Sequence, residues 1–346
     1  VLRGEAEKTL PMLVADISRG RAPSPIPGLT HRVNGRVVRY PDAPLLDDLD
    51  SLPMPAYHLF PYRMGPVLPI DTGRGCPFSC SFCSTSKFWR GQFRLKSIDR
   101  VIEEIHMLVK KYDTTCFAFI HDLFTVDQRW LQAFCERLQA EKVKITWSCF
   151  ARPDCMSPTL LRVMADAGCR AVFYGVETGS ARMQREIRKN LKLEQMRSVI
   201  EATLSVKMSA TISFIVGFPT ETKEDLRRTM KEIQALLRRP EVGVQLHILT
   251  PLIGTLDYER YADRLRFDGC YSDIAGAAYR FQELDWFRQY PDLFASFYYF
   301  RTDAVPRELL LGLDFFVYGP CSAMRDTILS LLRLSLIHIS EPTRPY

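Results

Sequence analysis

Between Val67 and Leu249 a short apolar run bounded by turn residues recurs six times, and a longer run with apolar residues at helical spacing separates each from the next. The short runs are 67–72, 116–121, 145–150, 171–176, 210–217 and 244–249. The long ones are Ile98–Tyr112, Asp127–Ala140, Pro158–Ala167, Leu193–Val206 and Lys223–Arg239. Strand-length runs alternating with amphipathic helices predict parallel β/α units, because parallel neighbours need a long crossover and the crossover needs an apolar face to lay on the sheet. Six units fall short of the eight that close a barrel, so the α/β fold expected is an open or partial (β/α)6 barrel, with its chemistry at the C-terminal ends of the strands.

The loop after the first strand, GRGCPFSCSFCSTS (73–86), holds Cys76, Cys80 and Cys83 in the pattern C-x-x-x-C-x-x-C. Structural zinc closes with four ligands, and a redox dithiol needs only C-x-x-C. A four-iron cubane takes one thiolate per iron, so three cysteines leave one iron open to a ligand that is not protein. The other cysteines read differently: Cys116, Cys149 and Cys169 as core beside strands, Cys135 on a helix face, and Cys155, Cys270 and Cys321 without assignment. Ten cysteines in 346 residues, standing beside long amphipathic helices, fit a metal or redox site in a reducing compartment better than a disulfide scaffold.

Composition excludes more than it selects. With 47% hydrophobic and 25% charged residues the chain is an ordinary globular protein, and it shows neither a membrane-spanning apolar run nor a signal-peptide pattern, so a cytoplasmic location is expected. The net charge of +6 is scattered rather than clustered, and nucleic acid is not an expected partner. Residues 20–66 are rich in proline and poor in periodicity, and read as an extended connector. Residues 255–333 are aromatic-rich and read as a mostly helical C-terminal cap. The first stretch, VLRGEAEKTLPMLV, begins inside an established element, so a preceding portion is expected. The tail Leu334–Tyr346 breaks from the helical pattern before it and reads as the translation of a sequencing adapter, outside the fold.

The three-cysteine loop directly after the first strand of a six-unit β/α domain resembles the radical S-adenosylmethionine superfamily. The resemblance implies a [4Fe-4S] cluster on Cys76, Cys80 and Cys83, whose open iron chelates the amino and carboxylate groups of S-adenosylmethionine, and an electron that releases the 5′-deoxyadenosyl radical. Phe82 then lies near the adenine. In FIHDLFT, Asp122 is placed to accept from the methionyl ammonium, with His121 where related sequences often carry a second acid. Arg152 in SCFARPD is a fork for the methionyl carboxylate or, alternatively, half of a surface ion pair. Glu177 in GVETGS matches the ribose element, and ISFIVGFPTET matches the adenine element except for Ser213 in place of its first glycine. There Gly217 and Pro219 shape the turn, and Glu221 is a cofactor-side residue or a partner of the next helix's N-terminus. His247 reads as a core histidine.

VLRGEAEKTLPMLV, the link LDSLPMPA, and KFWRGQFRLKS after the cysteine loop resemble the subgroup in which a cobalamin-binding domain precedes the radical domain. That implies residues 1–19 as the end of the cobalamin-binding domain, 20–66 as linker, 67–254 as radical core and 255–333 as a truncated cap, with cobalamin bound through an upstream domain. It further implies methyl transfer to an unactivated carbon of a small molecule or peptide, with an electron donor such as flavodoxin or ferredoxin. A ring-forming oxidative cyclase, a methylthiotransferase-like enzyme and a zinc-bound interaction module are the alternatives.

Overall fold

Four of the five long amphipathic runs begin where a side chain satisfies the free N–H groups of a first helical turn. The computed structural model describes residues 1–59, 67–269, 271–272, 276–277 and 284–318, and in it Ser97 caps α1 (Ile98–Tyr112), Asp127 caps α2 (Gln128–Ala140) and Ser157 caps α3 (Pro158–Asp166), which has proline in its first turn. After α4 (Leu193–Ser205), Thr222 and Asp225 close a reciprocal capping box at the start of α5 (Lys223–Leu237).

Six parallel strands lie between these helices: β1 (Val67–Ile70), β2 (Cys116–Phe119), β3 (Thr146–Ala151), β4 (Cys169–Glu177), β5 (Ser209–Val216) and β6 (Val242–Ile248). Their order in space is their order in the chain, and β1 and β6 pair only on one side among the described residues. The sheet is therefore an open partial barrel, as the count of units predicts.

Alternation along the strands sends one set of side chains under the helices and the other into the barrel. Phe117, Phe119, Trp147, Tyr174 and Phe214 are buried under the helices, where Phe119, Phe124, Phe134 and Trp147 pack at ring separations of 5.1–6.3 Å. The inner face stays open: Ile120 is 46% and Phe150 42% exposed. This face explains two departures from expectation. Cys116 and His247 are half-buried rather than core, because their register points them inward, away from the helices. Cys135, Cys149 and Cys169 are buried in the core.

The proline-rich connector carries more structure than its composition suggests. Thr30–Val33 and Arg36–Arg39 form an antiparallel hairpin. Its turn residues Asn34 and Gly35 both have positive φ (48° and 80°), the pair a tight two-residue hairpin loop requires. Upstream of it, Glu5 is buried and accepts from the Leu46 amide and from Arg74 and Arg94. Burial opposes its charge, but these hydrogen bonds outweigh burial and hold its carboxyl below the usual range. Both arginines sit on the small hairpin Gly73–Gly75/Phe93–Leu95 that carries the cysteine loop, so the first residues of the chain are tied to that loop.

At the other end the expected cap is mixed. It contains the short helices Leu256–Tyr261 and Leu284–Gln289 and paired two-residue strands. The helix α6 (Arg307–Tyr318) is not peripheral: Val305, Leu310 and Val317 belong to the main core, packed beside β6. Cys270, Cys321, the last part of the cap and the adapter-like tail lie outside the described residues.

Candidate functional site

The cysteine loop leaves β1 through Gly75, whose φ is +93° and whose absent Cβ would lie 2.1 Å from the Gln92 carbonyl oxygen. Only glycine fits there. Asp122, just past β2, ties the two ends of the loop together by accepting from the Gly75 amide (2.8 Å) and from the Thr85 hydroxyl (3.2 Å). His121 sits 3.0 Å from the Gly75 carbonyl. Since a carbonyl only accepts, Nε2 carries a proton, and burial lowers the histidine pKa.

Cys76, Cys80 and Cys83 line one cleft of about 210 Å³ at the C-terminal ends of β1–β4, together with Phe82, Asp122, Arg152 and Glu177. Burial pushes the Cys76 and Cys80 thiols up, a cost that binding of a cationic centre reverses. No three His, Cys, Asp or Glu side chains among the described residues converge as a single metal ion demands. Zinc would require that convergence, whereas a cubane takes its thiolates on separate irons. Three thiols around one cleft fit a cluster that keeps one iron open.

Arg152 is buried at 6% exposure. Its fork grips Asp154 (3.0 and 2.8 Å) and donates to the Lys189 carbonyl (2.8 Å), and the guanidinium stacks 3.7 Å over the Phe78 ring. It is thus neither a surface pair nor an unengaged fork. Its Nη1 lies 3.6 Å from Cys80 Sγ.

Glu177 ends β4 at a register shift, in the left-handed region (φ +70°). Gln184 holds this strained turn by donating to the carbonyls of Val176 and Thr178, both at 2.8 Å. The carboxylate meets Lys189 Nζ at 2.6 Å, and both side chains are buried. Gly175 leaves room for the pair, since a Cβ there would lie 2.5 Å from Glu177 Oε1. Lys189 and Phe78 were not foreseen. The lysine stands in the basic run REIRKNLK, which reads as a solvated face, and the Phe78 ring between two cysteines carries no periodic signal.

Gly217 and Glu221 do not line the cleft. They form its support: Glu221 Oε2 accepts from the Gly217 amide at 2.7 Å, and Phe218 packs edge-on against Phe82 at 5.8 Å. The cap of α5 is Thr222, so Glu221 is not the capping residue. Burial pushes the Glu221 carboxyl up to about 8. Between the ordinary value of 4.5 and about 8 the folded chain therefore holds a proton that the unfolded chain has released, and stability falls as pH rises through that window. Glu221→Gln is expected to flatten this fall, read as urea midpoints across the pH series; an unchanged slope would assign it to other groups.

A sequence profile described as the Radical SAM superfamily matches residues 70–233. An uncharacterized methyltransferase of Pyrococcus horikoshii is 34% identical over 269 residues, 75% of this chain and 57% of that protein. An anaerobic magnesium-protoporphyrin IX monomethyl ester cyclase of Rubrivivax gelatinosus is 30% identical over 244 residues, 67% of this chain and 44% of that one. The chain thus spans 44–57% of the length of these two relatives. Among solved structures, the radical S-adenosylmethionine methyltransferase TsrM of Kitasatospora setae, with cobalamin and a [4Fe-4S] cluster bound, superposes at TM-score 0.61 and 18% identity over 77% of this chain and 55% of that one. The cobalamin-dependent radical enzyme OxsB with aqua-cobalamin does so at 0.58 and 18%, over 75% and 38%. At such identity the fold alone is shared. The profile runs from the last residue of β1 into α5 and so takes in the cysteine loop and every strand end that lines the cleft, and the chain belongs to the radical SAM superfamily.

Proposed function

We propose that this chain is the radical-generating part of a cobalamin-dependent methyltransferase acting on an unactivated carbon of a small molecule or peptide. The observation that carries the reading is the single cleft shared by three thiols and the carboxylates of Asp122 and Glu177. Cysteines 76, 80 and 83 would hold the [4Fe-4S] cluster, with S-adenosylmethionine beside it. When bound, cluster, S-adenosylmethionine and cobalamin supply one-electron cleavage of a carbon–sulfur bond, the 5′-deoxyadenosyl radical and a transferable methyl group.

The chain's own residues bind and orient. Asp122, already fixed by two donors, has lone pairs left for the methionyl ammonium. Arg152 lends positive charge to the cleft wall from its place on Asp154. Glu177, turned inward by its strained backbone, accepts from ribose hydroxyls while Lys189 holds its Oε1. Phe82 flanks the adenine, backed by Phe218 of the Gly217–Pro219 turn, and Glu221 keeps that turn in shape.

Cobalamin is supported by the structural neighbours and by the N-terminal helix Thr9–Ser18. Its Leu10, Val14 and Ile17 are 49%, 52% and 61% exposed, an apolar stripe that fits residues 1–19 as the end of a cobalamin-binding domain, 20–66 as linker, 67–254 as core and 255–333 as cap. A ring-forming oxidation is the second reading, favoured by the likeness to the ester cyclase. No helix among the described residues is long and apolar enough to cross a membrane. The proposed enzyme is cytoplasmic and reduced by flavodoxin or ferredoxin.

Asp122→Asn and Glu177→Gln are expected each to weaken S-adenosylmethionine binding by about 1.5–3 kcal/mol while leaving iron content unchanged, because each replaces a charged acceptor by a neutral one. Equilibrium dialysis on reconstituted protein checks this. Parent-like affinity in both variants would mean that the cofactor lies elsewhere.

A further inference from the structure

The guanidinium of Arg152 is held in one orientation, and that orientation decides what it can bind. Nε and Nη2 donate side by side to the two carboxylate oxygens of Asp154 (3.0 and 2.8 Å), and Nη2 also donates to the Lys189 carbonyl (2.8 Å). The paired N–H groups that would grip a cofactor carboxylate are thus occupied by protein oxygens. What remains is Nη1, which donates to Cys80 Sγ at 3.6 Å. The guanidinium also stacks on the Phe78 ring, between Cys76 and Cys80 in the loop, which fixes the plane in which Nη1 approaches the sulfur.

Burial disfavours charge on the Cys80 sulfur, and Lys189 and Arg152 are the cations that oppose it. The two are not equivalent. Lys189 is closed on Glu177, whose side chain is 9% exposed, whereas the Asp154 side chain is 25% exposed and water screens its charge more. Reduction of an iron–sulfur cluster adds one negative charge, and a hydrogen bond or a cation at a thiolate sulfur stabilises the reduced form. We infer that Arg152 is a positioning residue that acts through Cys80: its N–H···S bond and buried charge raise the potential at which the centre on the cysteine loop is reduced, and it does not bind the cofactor carboxylate. The inference rests on the proposed function, because only a cluster on Cys76, Cys80 and Cys83 has a potential to set. In the reduction a one-electron donor loses an electron and the cluster gains it; no bond forms or breaks and no proton has to move.

The midpoint potential of the reconstituted chain, read without turnover by electron paramagnetic resonance along an anaerobic redox titration, tests this. Arg152→Met is expected to shift the midpoint to more negative values, lowering the ratio of reduced to oxidised cluster at a fixed potential by about tenfold, or about 59 mV for one electron. Asp154→Asn removes the negative partner and leaves Nη1 beside Cys80, so its midpoint shifts the other way. A residue that only braced the fold would move both midpoints alike or neither. Equilibrium dialysis of Arg152→Met with S-adenosylmethionine is expected to give an affinity within about threefold of the parent, because the fork is occupied by Asp154. A parent-like midpoint in Arg152→Met, shifts of the same sign in the two variants, or an affinity loss of about tenfold at an unchanged midpoint would overturn the assignment, the last by making Arg152 a ligand of the cofactor. If Arg152→Met takes up no cluster, Asp154→Asn decides alone: a positive shift sustains the inference, and an unchanged midpoint ends it. A parent chain that takes up no cluster would retire the proposed function and this inference with it.

Discussion

A chain with Cys76, Cys80 and Cys83 all replaced by alanine is expected to take up no iron–sulfur cluster on anaerobic reconstitution and to form no 5′-deoxyadenosine. The argument is one of ligand supply. Cys149 and Cys169 lie in the core behind the sheet and Cys135 on the buried face of α2, so none of them can replace a thiolate in the cleft. Cys155 is the nearest candidate, acting on the charge of Cys76, but burial pushes its thiol up to about 11, and one thiol cannot replace three. Iron and sulfide analysis with the visible spectrum gives the answer: broad absorption like that of the parent would remove the cluster from this loop. Fold stability changes little by comparison, because the loop's ends are held by Asp122 and His121 rather than by the cysteines.

The second large effect concerns stability. Lys189→Met leaves the Glu177 carboxylate buried without its cation, and removal of one partner from a buried ion pair costs about 3–5 kcal/mol. The Glu177 backbone is held by Gln184 on both sides, so any relief has to come from rotation of the side chain alone. The double variant Glu177→Gln/Lys189→Met, with neither charge, is expected to recover most of that loss, since replacing both charges of a buried pair is often nearly neutral. Urea unfolding of the two variants and the parent measures the difference. A Lys189→Met chain as stable as the parent would show that water reaches the pair and that Glu177 is held by something else.

Much of this architecture is legible in the residues, and the parts that are not share a cause. The core strands and helices follow from periodicity and caps, which are local: Asp127, Ser157 and Thr222 mark helix starts by chemistry acting over three residues. The cysteine spacing and the carboxylates Asp122 and Glu177 are likewise visible, because the loop and the strand ends sit at predictable places in a β/α succession. The Asn34-Gly35 turn was equally local but hidden by the prolines around it. Lys189 and Phe78 were not legible, because each contact joins separate segments: Lys189 follows Glu177 by a helix and a turn, and Phe78 reaches Arg152 across the cleft, whereas the Arg152 partner Asp154 stands only two residues on, within SCFARPD. The same holds for α6, whose Leu310 fills space beside Gly217 that no periodicity near either residue announces.

The sheet that never joins its first strand to its last has a further consequence. A closed cylinder fixes the girth of what it can hold, because every strand is hydrogen-bonded to two others and the circumference cannot change. Here the gap between β1 and β6 makes the wall a trough rather than a tube. Ile120 and Phe150, at the C-terminal ends of its strands, are exposed. Molecules too broad to thread a mouth can therefore be laid in laterally. What limits their size is whatever polypeptide lies across the gap, so the range of bodies admitted can change through that covering segment while the six strands and the cysteine loop stay as they are.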